Sequence, residues 1–360
     1  GTGINLDVDY LQDNFHNEGN ISVAVQAKGV VTADARVGDE SSGDAYATAG
    51  GFEGPEAYVS ADGTGLDLFF ERISGYIVNT GSVHVEVQAT QSSLAIADTE
   101  DADAGDAGAF AGGGLSVDAT GIYMEVSNAG TGLEWVDDVE EGDGTFVNDG
   151  VVYAGSFGNV SQDAHAYADD GYALALAEFD GTESEDDNAD VSAKGIFITT
   201  DDEYANFTGS IGNFDEVAAE SRLNAEIAAH ATVDEGDEED SSAGALAGGR
   251  FSALADGFHI ENADVDGEFL NTDQIVGEAY VNTDVSAYAN SDDSPAYAIV
   301  GSEFYAEGEF NFQADRASYI NSTARGLTLY NSYFNDDVTN VGMIGAGAYA
   351  FGISKADARG

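Results

Sequence analysis

An all-β repeat protein, folded as a parallel β-solenoid, is the class this sequence predicts, on three observations. Gly followed by an aliphatic or aromatic residue recurs at Gly3-Ile4, Gly65-Leu66, Gly121-Ile122, Gly195-Ile196, Gly257-Phe258 and Gly326-Leu327. A second motif, Asn-x-Gly/Asp-x-apolar, follows each glycine, at Asn17, Asn79, Asn148, Asn213, Asn271 and Asn340. Between the motifs the hydrophobic period is two.

The linkage between the motifs identifies a repeat rather than a Gly-rich coincidence. One Gly-to-Asn spacing holds from Gly3 to Asn17, Gly65 to Asn79, Gly257 to Asn271 and Gly326 to Asn340. It lengthens from Gly195 to Asn213, and more so from Gly121 to Asn148, where "GTGLEWVDDVEEG" fits as an insertion. Two positions before each Asn stands Phe15, Ile77, Phe146, Ile211, Phe269 or Val338. Residues 1–360 therefore read as one continuous repeat domain, divided approximately at 1–62, 63–118, 119–192, 193–254, 255–323 and a partial 324–360. Internal repetition on this scale implies a solenoid, a propeller or an array.

Each unit reads as strand. "ISVAVQA" (Ile21–Ala27) and "VHVEVQA" (Val83–Ala89) alternate apolar with small or polar residues, as strands with one covered face do. "EVAAESRLNAEIAAHA" (Glu216–Ala231) has helix-forming residues, yet its alternation and its phase in the repeat assign it to strand. A six-bladed β-propeller is the alternative. Propeller blades need tight antiparallel hairpins and bulky cores, whereas inward positions here are often Ala or Gly, as in "AYATAGG" and "AGALAGG". Small inward residues suit a narrow, flattened core between stacked parallel strands. With about 20 residues per coil, each repeat makes three coils and the chain a rod of roughly 85 Å.

The Asn motif carries turn chemistry, because Asn and Gly tolerate positive φ and the Asn amide bonds nearby backbone. A continuous Asn ladder is not expected from side chains that recur only once per repeat. The second half of each unit is rich in Ala and acid, as in "DTEDADAGDAGAFAGG", "FDGTESEDDNADVSA" and "VDEGDEEDSSAGALAGG". These stretches read as loops of variable length on one side of the coil.

Composition excludes several functions. Sixty-eight acids against ten Lys and Arg give a net charge of −58, which repels nucleic acid and anionic lipid and favours cations as counterions. No apolar run approaches the roughly 20 residues that span a bilayer, so membrane insertion is not expected. There is no Cys, hence no disulfide and no thiol nucleophile. Seventeen Tyr and 19 Phe, with only two Pro, argue against disorder.

The pattern "ATGIYMEV…GTFVNDGVV…AHAYA…SAKGIFI…GSIGN" resembles the β-strand repeats of large bacterial surface proteins, the passenger regions of autotransporters and related exoproteins. The resemblance covers nearly the whole chain. It implies a solenoid on the cell surface or outside it, and it carries over no functional residues.

Site chemistry is sparse. The five histidines, His16, His84, His165, His230 and His259, read as lying at different repeat phases, so no cluster is expected. No nucleophile–base motif is present, and the chain is not expected to be an enzyme. Calcium is the one cofactor the acidic runs suggest, with oxygen ligands from Asp101, Asp103 and Asp106, from Asp186, Asp187 and Asp190, and from Asp234, Asp237 and Asp240. Asn20, Asn159, Asn206 and Asn321 head glycosylation sequons. Trp135 lies in the insertion, where it is either a contact residue or tucked against the rod. The tyrosines and phenylalanines read as packing residues before they read as a carbohydrate-binding face.

Gly360, after "ADAR", reads as a seventh anchor glycine in register with the start of the chain. Either the chain is a segment of a longer array or copies stack end to end. The expectation is a structural protein: a filament subunit that stacks head to tail on itself, or the rigid stalk of an adhesin. A passenger binding carbohydrate or another surface comes second, and a polysaccharide-acting enzyme third.

Overall fold

The computed structural model describes residues 1–11, 13–37, 44–50, 58–73, 75–99, 105–126, 145–169, 171–179, 189–200, 206–208, 210–234, 241–292, 295–306, 312–316, 319–334 and 336–360. All the regular structure among them is β-strand. One repeat shows the plan. A strand at Tyr58–Ile73 leads to a short strand at Tyr76–Asn79, then a long strand at Val83–Thr99, and then a strand at Ala107–Gly112. The next repeat lays the same four strands parallel to the first.

The fold is thus a parallel solenoid, and the propeller is excluded because blades are antiparallel. The coil is far larger than expected. Thr2 pairs with Thr64, Tyr58 with Gly114, Ala189 with Leu115 and with Phe251, and Arg250 with Tyr319. Each repeat is one turn of the coil, not three. Six rungs at about 4.8 Å give only about 24 Å of axial rise, while a strand such as Val83–Thr99 spans roughly 55 Å. The chain is a short, broad slab rather than the long, thin rod that three coils per repeat would make.

Four main stacks result, here called the corner, asparagine, long and alanine sheets, with a small three-stranded parallel stack of Asn206–Thr208, Asp264–Asp266 and Tyr333–Phe334 beside them. The long sheet holds Ile21–Arg36, Val83–Thr99, Val152–Ala168, Val217–Val233, Gln274–Ser291 and Met343–Arg359. The stretch from Val217 to Ala231, rich in helix formers, falls within it as strand. Facing it lie the corner sheet, which includes Tyr58–Ile73 and Tyr319–Tyr330, and the alanine sheet, which includes Ala45–Ala49 and Ala296–Val300. In Ser242–Glu261 one continuous strand serves both sheets. One antiparallel pair, Ser302–Ala306 with Phe312–Arg316, stands apart.

The core tapers between these layers. Near the acidic loops it is alanine on alanine, with Ala95 and Ala97 of the long sheet beside Ala107, Ala109 and Ala111. Near the asparagine turn it is filled by Leu66, Leu68, Phe146, Phe258 and Phe269, all at most 1 % exposed. Phe146, Phe258 and Phe269 meet edge to face at centroid distances of 6.4 and 5.5 Å. Side chains of this size contribute about 1.5–3 kcal/mol each on burial. Polar groups inside are tied across and along the layers: Ser93 Oγ donates to the Gly112 carbonyl at 2.7 Å across them, and the Ser156 and Ser221 hydroxyls bond each other at 3.0 Å within the long sheet.

The anchor glycines are corners. In Tyr58–Ile73, Ala61, Gly63 and Gly65 face inward, and Leu66, Leu68 and Phe70 follow, so alternation changes phase between Gly65 and Leu66. The strand bends there, bringing its backbone against the long sheet. A Cβ on Gly121 would lie 2.5 Å from the Gly195 carbonyl oxygen and 2.5 Å from Val152 Cγ1. Gly65 and Gly195 meet Val83 and Val217 in the same way. Space, not positive φ, demands glycine in this column.

Candidate functional site: the side-chain columns and the open end rungs

One residue per turn makes columns along the axis. The motif asparagines form a continuous ladder, contrary to the turn-only role expected from their spacing. Asn17 Nδ2 donates to Asn79 Oδ1 at 2.7 Å, Asn79 to Asn148, Asn148 to Asn213 and Asn213 to Asn271 at 2.8 Å each, and Asn271 to Asn340 at 2.7 Å. The reason is coil size: once per repeat is once per rung. Asn79, Asn148, Asn213 and Asn271 are buried. The turn role survives as the second bond of the amide, from Asn271 Nδ2 to the Asp273 carbonyl and from Asn340 Nδ2 to the Gly342 carbonyl. All five inter-rung bonds point the same way, so the ladder has a direction.

The histidines also correct the sequence reading. His165 and His230 share a phase, each equally far beyond its own motif residue, Asn148 or Asn213, and they pair in register. Their rings stack at 4.8 Å with planes 6° apart. Asp163 Oδ1 lies 2.8 Å from His165 Nε2, and this bond raises the His165 pKa. Burial, and then the neighbouring His165, lower that of His230. Counting from the motif asparagines would have found the pair. Tyr280 and Tyr349 stack similarly at 4.8 Å in another outward column of the same sheet, nearer the strand's start.

On the outer side of the corner sheet, Tyr123, Phe197 and His259 form an aromatic column with centroids 5.4 and 5.0 Å apart. Asp256, fully buried, lies 3.0 Å from His259 Nδ1 and 3.3 Å from Arg325. Beside the rings runs a shallow groove of about 330 Å³, lined by Tyr123, Phe197, Glu125, Glu261 and Thr199.

The calcium candidates do not converge. Among the described residues no group of three or more His, Asp or Glu could hold a metal ion. Asp106 accepts the Tyr172 backbone N–H at 3.2 Å, and burial raises its pKa. Asp190 is not in a loop: it sits on the corner-sheet strand Ala189–Thr200 in register with Ser116 and Ser252. Asp234 is an exposed residue just after the long-sheet strand Val217–Val233. Asp101, Asp103, Asp186, Asp187, Asp237, Asp240 and Trp135 lie outside the described residues.

Of the sequon residues, Asn20 and Asn159 are exposed. Asn20 Oδ1 accepts from Ser82 at 2.9 Å and Asn159 Oδ1 from Asn224 at 3.3 Å. Asn321 is half-buried on the corner sheet, and Asn206 begins the short strand Asn206–Thr208.

Among the described residues, each end of the slab is a rung with a neighbouring strand on one side only. Thr2–Leu11, Phe15–Asn17 and Ile21–Arg36 edge one end; Tyr319–Tyr330, Val338–Asn340 and Met343–Arg359 edge the other. Columns buried inside surface here. Leu66 is 1 % exposed and its partner Ile4 39 %; Ile275 is 0 % and its partner Ile344 38 %. Val338, Val341, Met343, Tyr349 and Phe351 are exposed at the second end. Gly360 is not a seventh corner: Arg359 pairs with Asn290, the long-sheet position Arg36 occupies in the first rung. Among the described residues no helix is long and apolar enough to cross a membrane. The chain matches no protein-family model, no curated protein and no solved structure.

Proposed function

We propose that the chain is a structural unit of the cell surface or its exterior, a filament subunit or rigid stalk that extends along the solenoid axis. The observation that carries this reading is the pair of end rungs, which among the described residues have a neighbouring strand on one side only and whose core columns lie open. A parallel edge with its apolar column uncovered is a template for another rung. A heterologous contact of one end on the other does not close and so builds a filament. Electron microscopy across a concentration series tests it. Filaments that lengthen with concentration and share one axial repeat are expected; short isolated slabs at every concentration would count against the reading.

A second reading is a passenger that binds carbohydrate. The aromatic column of Tyr123 and Phe197 beside Glu125, Glu261 and Thr199 favours it, since flat rings flanked by hydrogen-bonding groups are what sugar faces and hydroxyls require. Binding on a glycan array that Phe197→Ala abolishes would support it.

A further inference from the structure

Resting on the filament reading, we infer a specific register for the contact: residue i of one copy lies over residue i + 323 of the copy before it. Four features lead to this register, and the first is that one offset serves three sheets. Carried through the pairings from rung to rung, Thr2 corresponds to Arg325 in the corner sheet, Asn17 to Asn340 in the asparagine sheet, and Ile21 to Ile344 in the long sheet. The third and fourth rungs carry longer connections. The first and last do not: Gly3, Asn17 and Ile21 are spaced as Gly326, Asn340 and Ile344 are. Over the corner, asparagine and long sheets the two ends therefore share one spacing, and there one can seat on the other in register.

The second feature is the direction of the Asn ladder. Asn340 donates one amide hydrogen to its own turn, at Gly342, leaving the other for the next rung. Asn17 donates to Asn79, and its Oδ1, which accepts the Gly19 N–H at 3.3 Å, has a second lone pair for an incoming amide. Head-to-tail stacking continues the ladder. Tail-to-tail contact would set donor against donor.

Charge is the third. Residues 1–36 hold Lys28 and Arg36 against five acids, and 325–360 hold Arg325, Lys355 and Arg359 against three, leaving −3 and 0. The rest of the chain carries the remaining −55 of the −58. A uniformly acidic slab would repel its own copies, but the corner, asparagine and long segments that would meet are far less acidic than the rest. In the inferred register, Asp34 and Arg36, which pair at 2.9 Å, lie over Asp357 and Arg359, which pair at 2.7 Å. Each acid then has a guanidinium diagonal to it on the next strand.

Apolar continuity is the fourth. Ile4 covers Leu327, Leu6 covers Leu329, Phe15 covers Val338 and Ile21 covers Ile344, so the exposed ends of the core columns close on one another. The alanine sheet, which stops one rung earlier at Ala296–Val300, is the exception. Three of the four main sheets run through the junction.

The absence of Cys allows a direct test. Thr32 and Lys355 face outward and correspond in this register, so the doubly substituted chain T32C/K355C places its two sulfurs on adjacent strands of neighbouring copies. Adjacent parallel strands lie within the Cα range a disulfide bridges, and strands paired two positions off register do not. Under mild oxidation T32C/K355C is expected to give trimers and longer multimers on a non-reducing gel. The single variants stop at dimers, and T32C/I353C gives no multimers. Filaments seen by microscopy without that cross-linking, or with equal cross-linking in T32C/I353C, would overturn the register and leave the filament reading standing. Neither filaments nor multimers would overturn both.

Discussion

At the scale of single residues, the asparagine column shows how one polar side chain specifies a fold. An amide placed in a dry core must satisfy two N–H groups and an oxygen, and a copy of itself one rung away does most of this. The register of the asparagine sheet is fixed accordingly, because a one-position slip would leave each buried amide unpaired. Asn148→Ala removes a side chain that both gives and takes, stranding Asn79 Nδ2 and Asn213 Oδ1 in the interior. Destabilisation of about 2–4 kcal/mol is expected from two orphaned buried groups. Asn17→Ala, at the open end, breaks the bond to Asn79 and the one from the exposed Gly19 N–H, which water replaces, and is expected to cost roughly half as much. Urea unfolding of the two variants under conditions that keep the chain monomeric checks this, and equal losses would contradict the ladder.

Among elements, the corner strands decide how the layers close. Their glycines let backbone touch the long sheet, and the β-branched residue opposite, Val83, Val152 or Val217, fills the space a side chain would need. Gly121→Ala pushes a methyl into both a carbonyl and a valine, for an expected loss of about 1–3 kcal/mol by overpacking. Gly345→Ala is the control, since its added carbon would meet only Val276 Cγ2 at 3.6 Å and should be tolerated. Thermal denaturation distinguishes the two; similar losses would refute the steric account. The same corners mark how far the sequence could be read. Period-two alternation made the strands legible, the Val217–Ala231 stretch included, and the Gly and Asn spacings located each repeat. Coil size was not legible, because alternation says which face is covered but not whether the strand alongside comes from the same repeat or the next. That error hid the Asn ladder, obscured the shared phase of His165 and His230, and put Gly360 in the wrong sheet. His259 was named, but its pairing with Asp256 across the Gly257 corner follows from a change of phase that no simple alternation contains.

For the whole molecule the dominant fact is acidity, and it sets the response to pH. Most acidic residues lie outside the two end rungs, and several stand in outward columns with a strand on either side, Asp190 half-buried and Asp118 exposed. Asp118 and Asp190 have pKa values raised first by loss of water, against opposing hydrogen bonds from Ser116 and Ser252 respectively. A carboxyl whose folded pKa exceeds its ordinary value of 3.8 holds its proton more tightly folded than unfolded. Through that window the native chain binds more protons than the unfolded one, so stability rises as pH falls. Relief of self-repulsion across a net charge of −58 acts in the same direction. The unfolding temperature is therefore expected to climb as pH is lowered from 7 toward about 5 at fixed ionic strength, the reverse of proteins whose carboxylates are held ionised by salt bridges. Asp190→Asn, at the half-buried one of the two, should raise the unfolding temperature at pH 7 and flatten the profile, because the desolvated charge is gone while a hydrogen-bonding side chain remains. Calorimetry of both chains across this range decides the matter: a melting temperature that falls on mild acidification would mean that pairing, rather than desolvation and repulsion, governs these acids.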